Sequence, residues 1–510
     1  MNRWAGLCLL LLVPGLLRAE PEALEQLNEM RRLAGLPPFE LAEPLSRAAA
    51  DQAHYLTLGQ RLDHLQDPGD PGFTGETPGQ RALVRAWPAR AVRENFSRGQ
   101  SNWPESLEGL MAAIYHRFAF LDPGMDKIGL ARSGSGPSGS FVYLMGSALT
   151  ESLCQNTQLT KTGNRGVCGG SAWVSLSLWQ EALDSSLAKA PRMVIWPAEG
   201  ALVPPAFFEE TPDPLPDRYY SGYPVTIAFN PARFKTPPKI EFWKLFDAQG
   251  QEVDCLPVLN ASTDPNQKLN QHQHALFPQD RLKWGGSYQV QVRYRADGLL
   301  VERRWGFQVK ATRFDRLNIK GQGEWVAVTP GQSVSLFLPP STAHPTFGNL
   351  DWSAREGVRA ELDWEDKNTL ALTPAGDLCG RLHFKLSGGR RFQVVVMPPG
   401  PEGPITNQAP LCVPPALQGY HGYYLKDQTE VPTKGRFWFL MPEDWSGSTR
   451  LSFVAPKSMK VKLRQVGEVL LELEVEGRKG QQLQLKWEAM APLNLRLTDS
   501  PPRPDFLANQ

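Results

Sequence analysis

The stretch "SLEGLMAAIYHRFAFLDPGMDKIGLARS", Ser106 to Ser133, sets one histidine inside a helical pattern. Leu107, Leu110, Met111 and Ile114 recur three or four residues apart, which predicts one apolar stripe facing a core. His116 lies about 200° around from Ile114 at helical spacing, so it points away from that stripe. Gly109, Ala112 and Ala113 are its neighbours one and two turns back, and their small side chains leave room for a concavity beside the imidazole. An imidazole there suits a ligand, a proton acceptor or a plain surface hydrogen bond, and periodicity alone does not choose between them.

Other reactive residues are sparser. Cys154 and Cys168 flank a short polar loop, and a bridge between them contributes about 3 kcal/mol by the chain-entropy model. Cys379 and Cys412 make a second expected pair across a proline-rich junction, leaving Cys255 free. His272 and His274 share one side of a predicted strand, an arrangement that can hold a metal but lacks a third ligand, so a solvated face is expected. "GSGPSGS", Gly134 to Ser140, has no nucleophile elbow and reads as a hairpin loop. The chain has no P-loop, no dinucleotide fingerprint opening a helix and no H-E-x-x-H motif.

The elements that must position these residues change character near residue 190. Before it, Leu24, Leu27 and Met30, and then Leu45, Ala49, Ala53 and Leu56, repeat at helical spacing. After it, Tyr288, Val290, Val292 and Tyr294 alternate with polar residues, Asp297-Gly298 supplies a hairpin turn, and Trp305, Phe307 and Val309 return. Leu382, Phe384 and Leu386 repeat this, as do Leu471, Leu473 and Val475, at the spacing of β-sandwiches. Aromatic residues such as Tyr420, Tyr423, Tyr424, Phe437, Trp438 and Phe439 are expected mainly in cores and junctions, although such rings can stack on sugars.

The chain is long for a single core: 510 residues predict several domains. With 41% hydrophobic and 21% charged residues it is globular in composition. A formal charge of +1 and no Lys/Arg run exclude a nucleic-acid partner on electrostatic grounds. "MNRWAGLCLLLLVPGLLRAE" joins Arg3 to an apolar run, Ala5 to Leu17, and a small residue at Ala19, which predicts a secretory signal peptide over 1–19. That run is too short to span a bilayer and no later segment is long enough, so no transmembrane segment is expected after cleavage. Export also fits the use of cysteine.

Taken in order, "LEQLNEMRRLAGLPPFEL", "PLSRAAADQAHYLTLGQRLDH", "GFTGETPGQRALVRAW", "VRENFSRG", "AAIYHRFAFLDP", "KIGLARS" and "FVYLMGSAL" resemble the CAP superfamily, also called SCP-like, in a bacterial branch. Glu94-Asn95, His116-Arg117, Leu121-Asp122-Pro123 and Ile128-Gly129 are its most specific parts. The resemblance covers residues about 22 to 150 and implies an α-β-α sandwich there; with the alternating segments behind it, of which Pro191 to Lys310 resembles a bacterial immunoglobulin-like module, the expected architecture is multidomain, an N-terminal α-β-α sandwich followed by two or three antiparallel β-sandwich domains. It implies a cleft with His64, Glu94 and His116. The second acid of many relatives has no match, because Ala113 stands near its place, and Glu108, about 80° from His116 at helical spacing, is the candidate substitute. His54 is expected outside the cleft.

Two neutral imidazoles and a carboxylate can hold Zn²⁺ or another divalent cation with a place left for water, with His64 and His116 as ligands. The same groups can form a metal-free polar cluster. The expected organisation is a signal peptide (1–19), the CAP-like domain (20–150), a cysteine-clasped connector (151–190), an Ig-like β-sandwich (191–312), a second sandwich (313–398), a proline-rich linker (399–415) and a C-terminal β-rich domain (416–510). Non-enzymatic binding of a lipid, glycan or protein partner in the cell envelope is the leading expectation. Metal-dependent hydrolysis in the cleft and glycan attachment by the β domains are the alternatives.

Overall fold

Ser140 to Gly146 are buried without exception, the mark of a strand covered on both faces. In the computed structural model Phe141, Tyr143 and Met145 enter one core while Val142 and Leu144 enter another. The structure describes residues 20–505 except 60–61, 156–165, 170–173, 356, 409, 415–416, 426–427, 442–450, 467–469, 487–491 and 501–502. The expected signal peptide lies outside the described residues.

That strand, β4 (Ser140–Gly146), joins β1 (Glu40–Leu41), β2 (Arg93–Arg98) and β3 (Lys127–Ser133) in the order β1-β3-β4-β2. Helices α2 (Glu43–Leu58) and α3 (Pro78–Val84) cover the Val142 face. On the Tyr143 face lie α1 (Glu20–Leu33), α4 (Trp103–Ala112) and α5 (Ile114–Phe120). This is the expected α-β-α sandwich, and the stripe of Leu45, Ala49, Ala53 and Leu56 is fully buried. Gly129 on β3 explains how closely α2 approaches. A Cβ there would lie 2.0 Å from the Leu45 carbonyl carbon and 2.1 Å from the Ser46 nitrogen.

The helix expected to run through His116 is broken. Ala113 is extended (φ −79°, ψ 117°), ending α4 and starting α5. The cause lies in Arg117, whose guanidinium is fully buried and holds the last-turn carbonyls of α4: Nε donates to Met111 O at 2.6 Å. The angles that related Glu108 to His116 on one continuous helix therefore do not apply.

The core on the Tyr143 face continues into the following module, through Trp196, Tyr223, Val225, Phe277, Val290 and Trp305. Among the described residues, those up to Ala311 form one compact unit and those from Thr312 onward another. Within the first, Ser287–Ala296 and Leu299–Val309 pair as a hairpin closed by Asp297 and Gly298, both at positive φ. These strands belong to a five-stranded sheet that faces a three-stranded one made of Met193–Trp196, Val225–Phe229 and Gln273–Leu276. The Cys154–Cys168 bridge forms, as does Cys379–Cys412, and Cys255 is free.

His274 departs from the solvated face expected for it. It is 8% exposed, packs edge-on to Phe229, and both ring nitrogens lack a hydrogen-bond partner among the described residues.

In the second unit, two sandwiches each have their own core. Their sheets are mixed rather than purely antiparallel, for example where Gln322–Val328 lies parallel to Arg391–Val396. The proline-rich segment is not a bare connector: Ile405–Thr406 adds an edge strand to that sheet, and Cys412 ties the segment back to Cys379. Phe437, Trp438, Phe439 and Tyr423 are buried, whereas Tyr424 is exposed.

Two stability measurements follow from these contacts. Gly129→Ala should destabilise the first unit by about 3 kcal/mol in urea unfolding, because backbone rather than a movable side chain blocks the new methyl; an unchanged midpoint would contradict the close approach. Burial, then the charge of His272, push the His274 pKa down to about 4. The unfolded imidazole takes up a proton near pH 6.5 and the folded one only near 4, so stability contributed by His274 is intact above 6.5 and falls across that window. His274→Leu should lessen the acid loss between pH 7 and 4 by about 3 kcal/mol.

Candidate functional site

His64 sits on the loop after α2, which is held by polar contacts. Gln52 on α2 donates to Asp63 O at 2.8 Å and accepts from Gln66 at 2.9 Å, while Tyr55 Oη reaches Asp70 at 2.7 Å. Arg81 on α3 anchors the rest. Its guanidinium donates to Gly75 O (3.1 Å), to His64 O (3.1 Å) and to both Glu94 oxygens (3.0 and 2.8 Å). α3 itself starts in a capping box between Thr77 and Gln80. Glu94 Oε1 also lies 3.0 Å from His64 Nδ1. Arg81 and Glu94 are essentially inaccessible, but the His64 side chain is 45% exposed and rests its ring against Phe96.

Glu94 and Asn95 are consecutive on β2, opposite Leu144 and Tyr143, so their side chains leave opposite faces of the strand. Glu94 takes His64. Asn95 donates to the carbonyl of His116 at 2.9 Å and fixes the start of α5.

His116 finds its acid in an unexpected place. Its Nδ1 lies 2.6 Å from Oε1 of Glu210, which belongs to the following module. The same oxygen accepts the backbone N–H groups of Tyr115 (2.9 Å) and His116 (3.0 Å). The Glu210 side chain has no exposed surface and its Oε2 has no hydrogen-bond partner among the described residues; the His116 side chain is 16% exposed. Alongside, the Tyr115 hydroxyl donates to Asp264 and accepts from Asn266 at 3.1 Å. Burial and then Asp264 raise the Tyr115 pKa. Burial opposes the Asp264 carboxylate, yet hydrogen bonds from Tyr115 and the Leu269, Asn266 and Lys268 amides outweigh it and lower its pKa.

Of the residues expected in the cleft, His64 and Glu94 are brought into contact, while His116 has Glu210 as its acid. Glu108 is ion-paired with Lys310 of the following module, and His54 is exposed on α2. Sequence reasoning missed Glu210, whose one local signal is an acidic pair, Glu209-Glu210, directly after Phe207-Phe208. The donor set does not fit zinc. Both Glu94 oxygens are held by a buried cation, and among the described residues no three His, Cys, Asp or Glu side chains group closely enough to hold a metal ion. Glu210→Ala removes the acceptor of two amides and one imidazole, and should destabilise the first unit by about 3 kcal/mol in urea unfolding. A cost below about 0.5 kcal/mol, as for an ordinary surface change, would contradict this geometry.

Residues 24–146 match the family model for CAP, the cysteine-rich secretory protein family. Among solved structures, the chain is similar to an outer surface protein from Borrelia burgdorferi at 22% identity, over 25% of this chain and 91% of that one, with a TM-score of 0.23. It is also similar to an extracellular protein containing a SCP domain from Bacillus anthracis str. Ames, at 14% identity over 25% of this chain and 39% of that one, with a TM-score of 0.22. No curated protein matches the chain. No helix among the described residues is long and apolar enough to cross a membrane. Residues 24–146 are thus a CAP domain, followed in this chain by β-sheet domains.

Proposed function

We propose that this is an exported bacterial protein whose CAP domain binds a ligand without transforming it, with the β-sandwiches as spacer or adhesive surface. The observation that carries this reading is the state of the polar groups. Glu94 is consumed by Arg81 and His64, and Glu210 by His116, and the more open of the two imidazoles is His64, 45% exposed. Around it in sequence, Leu58, Leu62, Leu65 and Phe73 are 53%, 57%, 50% and 37% exposed, an apolar rim that suits an amphipathic partner better than a purely ionic one. Hydrolysis through a metal-bound water would need His64, Glu94 and His116 on one ion, and both Glu94 oxygens are held by Arg81.

A photo-crosslinking residue in place of exposed Leu62, in the full chain in cells, should trap a discrete adduct that disappears when His64→Ala is added. The purified chain should hold no stoichiometric zinc at neutral pH. One zinc ion per chain, lost in His64→Ala, would restore the metal-hydrolase reading, and absence of any adduct would count against ligand binding at this loop.

A further inference from the structure

The sandwich behind the CAP domain has a cleft of about 380 Å³ walled by both of its sheets. Lys239–Asp247 supplies one wall. Strict alternation would send neighbouring side chains of this strand to opposite faces, but a β-bulge between Ile240 and Phe242 shifts the register, and Ile240, Phe242 and Trp243 all reach the cleft. His274 on Gln273–Leu276 forms the other wall with Val258 and Asn260. Leu259 exchanges both backbone hydrogen bonds with Ala275, at 2.9 Å each, which fixes Val258 and Asn260 beside His274.

Trp243 and His274 are 7% and 8% exposed, and neither Trp243 Nε1 nor either His274 ring nitrogen has a hydrogen-bond partner among the described residues. A buried donor or acceptor left unpaired costs more than a typical hydrogen bond gains, and here three belong to two residues that line one open cleft. Their chemistry selects the ligand. The indole N–H only donates, while a neutral imidazole has one donor and one acceptor on different sides of its ring. Burial keeps the His274 ring neutral. A carboxylate or phosphate only accepts, so it fails the bare imidazole nitrogen, and a hydrocarbon satisfies none of the three. Hydroxyl groups donate and accept, so a ring carrying several satisfies all three in either tautomer. No hydrogen bond holds the imidazole about χ2, and a half-turn exchanges its nitrogens with carbons in the same volume. Phe242 and Trp243 supply aromatic surface for the C–H groups of such a ring. Exposed Lys239 and Glu241 bring one charge of each sign to the lining, which favours a neutral ligand. The volume lies at the small end for ligand sites and suits a single ring.

We infer that this cleft binds one residue of a neutral sugar, with His274 and Trp243 hydrogen-bonding to its hydroxyl groups. The inference goes beyond the ligand reading of the CAP domain, and neither depends on the other.

Long-range ¹H–¹⁵N spectra of the histidine-labelled full chain test it, with the His274 signals assigned by their loss in His274→Leu. Those signals should shift on titration with at least one of the methyl glycosides of glucose, galactose and N-acetylglucosamine, and should not shift with benzoate. Trp243→Phe keeps an aromatic ring and removes the indole N–H. The dissociation constant of the responding glycoside, read by saturation-transfer titration, should rise about tenfold in Trp243→Phe and in His274→Leu, the value of one lost hydrogen bond. No shift at His274 with any of the three glycosides would overturn the inference, as would a response to benzoate alone. An unchanged dissociation constant in either folded variant would place the sugar elsewhere and overturn it too. Should Trp243→Phe fail to fold, the wild-type shift and the His274→Leu titration decide.

Discussion

The architecture of the first unit turns on a cation with no access to water. Arg117 directs its guanidinium to the Met111 and Ala112 carbonyls at the end of one helix and to the Pro224 carbonyl and Thr226 hydroxyl of the next module, and it stacks on Tyr223. Burial lowers its pKa, the expected result of desolvating a charge. Such a group is tolerated only where carbonyl oxygens replace its hydration completely. Once it is satisfied, the helix must break at Ala113, α5 must start there, and His116 must face Glu210. Arg31 and Arg81 repeat the device. Arg31 gathers the Pro37, Phe120 and Met125 carbonyls under Phe39, and Arg81 gathers the His64 loop and Glu94.

These three arginines separate what could be read in the sequence from what could not. Periodicities were legible because they are local: Leu45 to Leu56 as a helix face, Tyr288 to Tyr294 as a half-buried strand, Asp297-Gly298 as its turn. Ile128-Gly129 was legible as a motif, and its physical reason is the helix backbone pressed onto Gly129. A buried guanidinium leaves no such trace, since an arginine on a helix looks the same whether it meets water or carbonyls. The break at Ala113 was hidden for that reason, because nothing in "LMAAIYHRF" forbids a continuous helix. His274 was misjudged similarly: alternation assigned its face, but Phe229 on the neighbouring strand decided its burial.

The candidate site shows the same division. His64, Glu94 and His116 were found through family resemblance, which carries residue identities but not their partners. Ala113 left the family's second acid unmatched, and Glu108 was chosen because it lay on the same expected helix. The structure instead engages Glu108 with Lys310 and sets Glu210 against His116, both partners coming from the module after the CAP domain. A substitution in one segment is met by a residue about a hundred positions later, a distance over which spacing rules have no force. The two histidines differ accordingly: His64 is open to solvent over a sealed Arg–Glu pair, and His116 is mostly enclosed over an acid from another module.

The unbroken apolar core between the CAP domain and the sandwich behind it bears on how such a chain can evolve. A segment whose helix termini and acid are supplied from its neighbour cannot be shuffled by recombination as an independent cassette. Parting the two would strip Arg117 of its Pro224 carbonyl and His116 of its carboxylate.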